Sequence, residues 1–139
     1  MEIVKQRPPN FSEIAKVFKG AWAPGVIFAY NNKIYNPSGF DLSPALIAHE
    51  SVHCERQGMT EEECLVWWNH YLTSKDFRYH EELLAHRAEY NRMLEDANNF
   101  KKRQLALKIV SKKLAAPLYG GMCTRKEAER ELIFGNSIR

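Results

Sequence analysis

The run Ala45-Leu46-Ile47-Ala48-His49-Glu50-Ser51-Val52-His53 constrains this chain more than any other stretch. It follows Ser43-Pro44, an N-cap residue and then a proline at the first helical position, where a missing N–H costs nothing. Gln57-Gly58 marks the expected stop. Inside a helix, residues four apart stack on one face, so the imidazoles of His49 and His53 can approach a single point. Neutral imidazole nitrogen is a natural zinc ligand, and Glu50, one position on, reaches water beside the ion and not the ion itself. The pattern predicts a Zn2+ site and metal-assisted hydrolysis. Glu50 then acts as base toward the zinc-bound water and as acid toward the leaving amine. Leu46, Ile47 and Val52 are expected to bury the neighbouring faces of this turn.

The flanking segments predict an α+β chain that is mostly helical. Asn10-Phe11-Ser12-Glu13 has capping-box spacing, and Ile14, Val17 and Phe18 continue it as a short helix to about Lys19. Val26–Tyr30 and Lys33–Tyr35, separated by Asn31-Asn32, read as a β-hairpin, part of a two- or three-stranded sheet. An exposed edge strand there could hold an extended peptide beside the metal. Thr60-Glu61-Glu62-Glu63 opens a further helix with Cys64, Leu65, Trp68, Tyr71 and Leu72 on its apolar face. Long helical patterns follow over 75–98 and 101–115. Pro117 and Gly120-Gly121 break the chain, and Thr124-Arg125-Lys126-Glu127 caps a last helix to about Phe134.

With 139 residues, 45% hydrophobic and 27% charged, the chain reads as one globular domain spanning residues 1–139. Cys54, Cys64 and Cys123 are odd in number and lack C-x-x-C spacing, which points to reduced thiols rather than a disulfide frame. The N-terminus lacks a signal-peptide pattern, and no apolar run has membrane-spanning length, so a cytoplasmic protein without a membrane partner is expected. The net charge of +3 is concentrated after Lys101, where ten Lys and Arg residues face three acids (Glu127, Glu129, Glu131). Lys101-Lys102-Arg103 and Lys112-Lys113 have no interleaved aromatic residues, so nucleic acid is not the expected partner. Trp67, Trp68 and Tyr71 read as core.

A catalytic zinc usually takes three protein ligands and keeps one position open. Gly and His at three and six residues past the second histidine would define the metzincin arrangement, but Arg56 and Met59 stand there. The third ligand must come from His70, Asp76, His80, Glu81, Glu82, His86 or Glu89. Glu82-Leu83-Leu84-Ala85 resembles the Glu-x-x-Ala setting of the gluzincin metallopeptidases. His49-Glu50-Ser51-Val52-His53-Cys54-Glu55-Arg56-Gln57 is similar to the His-Glu-x-x-His-x-x-x-Gln of minimal single-domain zincins, several of them phage- or prophage-encoded. The resemblance covers about residues 25–90. It implies a hydrolase of peptide or protein substrates, with a short sheet packed beside a two-helix metal core. It also implies Glu82 as third ligand, with Glu81, His86 and His70 as the alternatives. His86, Tyr79, Tyr90 and Arg87 are the possible oxyanion donors. A zincin-like binding or structural protein without catalysis, and a nucleic-acid-associated protein, are the competing functions.

Overall fold

The computed structural model describes residues 1–116 and 119–137. In chain order the elements are β1 (Glu2–Val4), α1 (Phe11–Val17), β2 (Phe28–Tyr30), β3 (Lys33–Tyr35), α2 (Pro44–Arg56), α3 (Glu61–Thr73), α4 (Lys75–Asp96), α5 (Phe100–Leu114) and α6 (Arg125–Ser137). A single 3₁₀ turn, Lys19–Trp22, follows α1. The chain is α+β and mostly helical, as its patterning predicts. Among the described residues no helix is long and apolar enough to cross a membrane.

The predicted hairpin forms with Tyr30 opposite Lys33 and Phe28 opposite Tyr35. Asn31 (φ 46°) and Asn32 (φ 63°) occupy both central turn positions at positive φ, the conformation that matches the twist of paired strands. The third strand is the N-terminal β1, which pairs in parallel with β3 and makes the order β1-β3-β2. Three residues carry too little alternation to announce that strand in the sequence.

The edge of β2 departs from expectation. Tyr30 and Phe28 are the residues directed at β3, so Ala29 presents its backbone outward. The Ala29 carbonyl accepts from the Gln57 side-chain amide at 2.8 Å and from the Trp68 indole N–H at 3.1 Å. The next outward N–H, that of Asn31, donates to Cys64 Sγ at 3.2 Å. Helices α2 and α3 thus seal the edge at these positions, and an extended peptide cannot pair there.

Most helix boundaries follow their capping signals. Ser43 accepts from the Leu46 N–H, with Pro44 at N1. Thr60 and Glu63 close a reciprocal capping box, and Thr124 with Glu127 does the same at α6. The Asn10–Glu13 box does not form: the Asn10 side chain makes no cap bond, and Glu13 accepts from the Ser12 hydroxyl instead. At its other end α1 stops at Val17, short of Lys19, because Phe18 turns extended before the 3₁₀ turn.

The packing falls on two sides of α4. On one side Phe11, Ile14, Phe28, Trp67, Trp68 and Tyr71 form an aromatic-rich core between sheet, α1 and α3. On the other, Tyr90, Leu107, Val110 and Leu132 join α4 to α5 and α6. Trp67 is buried while Leu65 lies 47% exposed, so the buried face of α3 is turned relative to the apolar face its sequence suggests. Between these cores α2 lies along α4, its most extensive helix contact. The face α2 buries is polar: His49, Glu50, His53 and Gln57 are all buried, whereas Leu46, Ile47 and Val52 are only partly so.

Gly58 ends α2 with φ +95°, and a Cβ there would lie 2.9 Å from the Glu63 side chain that caps α3. Gly58→Ala combines positive-φ strain with displacement of that cap. It is expected to destabilise the fold by about 1–3 kcal/mol in urea unfolding.

Candidate metal centre

α2 delivers His49 and His53 one turn apart, ring centroids 5.0 Å from each other, facing α4. Across from them stands Glu82. Its Oε1 lies 3.4 Å from His49 Nε2 and its Oε2 lies 3.0 Å from His53 Nε2. One ligand atom from each of the three residues falls within 4.8 Å of the others, a grouping that could hold a metal ion. A tetrahedral shell with bonds of about 2.1 Å spaces its ligand atoms about 3.4 Å apart, so the separation of His49 Nε2 from Glu82 Oε1 suits a small ion. All three residues are buried, at 2–4% exposure.

Buried unpaired atoms supply a second test of fit. Among the described residues Glu82 Oε1 has no hydrogen-bond partner, although a buried ionised oxygen without one is costly. Glu82 Oε2 accepts the Tyr71 hydroxyl at 2.6 Å, which orients the carboxylate and leaves Oε1 toward His49.

His49 is oriented from behind. Its Nδ1 lies 2.9 Å from Glu89 Oε1, and Glu89 in turn pairs with Lys113 of α5. A carboxylate accepts, so Nδ1 carries a proton, and Nε2, which faces Glu82, is the nitrogen that becomes free to ligate when the ring is neutral. This is the carboxylate–histidine pairing that fixes a metal-binding tautomer. Once the imidazoles give up their extra protons, as metal binding demands, ionised Glu50, Glu82 and Glu89 with charged Lys113 carry −3 + 1 = −2, the complement of one divalent cation.

The proton affinities express the same demand for positive charge. Burial depresses the His49 pKa, but hydrogen bonds to Glu82 and Glu89 outweigh it and raise it to about 10. Burial would raise Glu82, yet His53 and His49 hold it well below the ordinary carboxylate range. Glu89, also opposed by burial, is brought to about 2 by His49 and Lys113. Glu50 moves the other way. Burial raises it, only partly countered by His49 and His53, and its Oε1 lies 3.9 Å from His49 Nε2.

The structure also places the other sequence-derived ligand choices. Glu81 is engaged elsewhere: its carboxylate receives Arg56 Nε at 2.8 Å and the Trp67 indole at 2.7 Å. His70, Asp76 and His80 are exposed, with His70 against the Phe77 ring. His86 is fully buried beside His49, ring centroids 4.5 Å apart. Its Nδ1 lies 2.7 Å from the Glu82 backbone carbonyl, so Nδ1 is the protonated nitrogen and Nε2 has no partner. Burial and the neighbouring His49 depress its pKa to about 3, keeping the ring neutral. His49, His86 and Glu89 form a second grouping of ligand atoms. It draws on the pair already satisfied by the Glu89 contacts to His49 and Lys113, so the Glu82 grouping is the stronger metal site.

A cleft opens onto these groups. His49, Glu50, His53 and Glu82 line one wall, with Trp67, Trp68, Tyr71 and Tyr119 around them. The two tryptophans and Tyr71 therefore serve core and site together. Tyr119 escaped the sequence reading because its neighbourhood shows only breakers; it packs its ring 5.5 Å from His86. Of the expected oxyanion donors, Arg87 is spent on Glu131, Tyr79 packs beside Leu83 and Leu114, and Tyr90 lies in the α4–α5–α6 core. Tyr71 and Tyr119 are the hydroxyl-bearing residues that line the cleft, both with pKa values raised well above the usual phenol range, first by burial and then by Glu82.

No family model, curated protein or solved structure matches this chain.

Glu89→Gln keeps the shape of the support for His49 and removes its charge. Divalent-metal affinity is expected to fall about 10–100-fold in a chelator-competition titration, with the far-UV circular dichroism unchanged.

Proposed function

We propose that the chain is a zinc-dependent peptide hydrolase in which His49, His53 and Glu82 hold the ion and Glu50 is the general base. The observation that carries this is the position of Glu50, buried beside a three-ligand set that no fourth His, Cys, Asp or Glu joins among the described residues. A structural zinc site is closed by four protein ligands, whereas a hydrolytic one leaves a position open. Two imidazoles and one carboxylate are a donor set suited to zinc. When bound, zinc polarises a carbonyl and lowers the pKa of water toward neutrality.

The chain's own residues supply the remainder. Glu50 accepts a proton from water as the water oxygen bonds to the carbonyl carbon. Burial makes its carboxyl a better proton carrier than an exposed one. The proton then leaves on the amine nitrogen as the C–N bond breaks, which returns Glu50 to its ionised form. Tyr71 holds Glu82, and Glu89 holds His49, so neither ligand needs to reorganise. Tyr119, which lines the cleft beside Glu82 and His86, is a candidate donor toward a developing oxyanion, and its raised pKa keeps that donor proton in place.

Glu50→Gln should retain stoichiometric zinc by elemental analysis and lower the hydrolysis rate of fluorogenic peptides by about 10²–10⁴. Undiminished cleavage in that variant would remove Glu50 from the role of base. Zinc binding with no cleavage by the wild type would favour a non-catalytic binding protein.

A further inference from the structure

The cleft has two unlike halves. One carries the metal ligands and Glu50; the other is apolar and comes from the N-terminal segment and α3, through Ile14, Phe18, Val26, Phe28, Trp67 and Tyr71. Ile14 and Phe28 are buried, and Phe18 and Val26 are half-buried at the rim. Phe18 is held edge-on to Tyr71 at 6.1 Å and lies under the Arg78 guanidinium at 5.0 Å. Phe11 fixes the same segment through edge contacts to Trp22 at 4.8 Å and to Phe28 at 5.7 Å. The wall is therefore preformed.

Two further features limit what can use it. The ligands and Glu50 are only 2–6% exposed, so a chain cannot lie flat across them. The outward carbonyl of β2 at Ala29 is occupied by Gln57 and Trp68, and the Asn31 N–H by Cys64, so the strand offers no continuous ladder for an extended backbone.

Resting on the hydrolase function proposed above, we infer that the site takes short peptides or chain ends bearing one bulky apolar side chain next to the scissile bond, seated against Phe18 and its neighbours. It does not take internal bonds of extended polypeptides. A side chain of leucine size leaves water on entering such a wall, which shifts the equilibrium constant about tenfold or more relative to glycine. Trp67 and Trp68 on the cleft report that entry.

The test uses the full-length, zinc-loaded protein with two metal-directed probes, L-leucine hydroxamate and glycine hydroxamate, titrated by calorimetry and tryptophan fluorescence. The leucine probe is expected to bind at least about tenfold more tightly. In Phe18→Ala the ratio should shrink by about threefold or more at unchanged zinc content. If that variant does not fold, the wild-type ratio alone decides. Equal affinities would overturn the apolar subsite and leave the zinc hydrolase standing. Failure of both probes to bind a stoichiometrically zinc-loaded protein would overturn the open metal position, and with it both proposals. Hydrolysis of apolar tripeptides far faster than of casein supports the size limit, and cleavage of casein at internal bonds at comparable rates overturns it.

Discussion

The interior turns on one carboxylate. Glu82 sits 3.0 Å from His53, 3.4 Å from His49 and 2.6 Å from the Tyr71 hydroxyl, at 2% exposure. An ionised carboxylate this deep persists only with partners, and breaking such a buried pair costs about 3–5 kcal/mol. Those partners come from α2 and α3, so the charge on α4 specifies how three helices meet. Glu81, next in sequence and about 100° round the helix, repeats the device with Arg56 of α2 and Trp67 of α3. Two adjacent glutamates thus bind the same three helices along different directions. One leaves an oxygen without a hydrogen-bond partner, in a grouping that could hold a metal ion, and the other is wholly engaged in structure.

The C-terminal helices take part in the site through charge. Lys113 of α5 neutralises Glu89, and Glu89 sets the tautomer of His49. The basic character after Lys101 therefore has at least one local use: Lys113 offsets charge where three carboxylates converge on His49 and His53. Lys101, Lys102 and Arg103 remain exposed on the first turn of α5, a solvated face of the usual kind. The polar centre is flanked by apolar packing on either side of α4, which shields it from bulk solvent except at the cleft. In such surroundings each charge interaction is stronger than at a surface, and each orphaned polar atom more expensive.

What the sequence disclosed was whatever has a short period or a local signal. Ser43-Pro44, the Thr60–Glu63 box, the Asn31-Asn32 turn and the four-residue histidine spacing all act within a few residues, and each appears where its pattern placed it. Asn10–Glu13 shows the limit, since the same spacing formed no cap once Glu13 found Ser12. Partnerships across the chain were another matter. Glu89 stood among the possible ligands, but its use behind His49 depends on Lys113, 24 residues later. Tyr119 has no periodic signal at all. The sealing of β2 needs Gln57 and Trp68 to converge on one carbonyl, and no linear spacing encodes that.

That sealing and the burial of His49, His53 and Glu82 have a common source. Gln57 lies four residues past His53, on the same face of α2, and Trp68 follows the buried Trp67 on α3. The turn that aims imidazoles at Glu82 must therefore also aim an amide at the sheet, and the helix that carries Tyr71 to Glu82 brings an indole to Ala29. Preorganisation of the ligands and closure of the peptide edge cannot be separated in this packing. A wider groove would require α3 to withdraw, and Tyr71 would then release Glu82. The fold holds its polar centre buried and fixed by accepting a narrow mouth, so the same packing that steadies Glu82 also restricts the approach to Glu50.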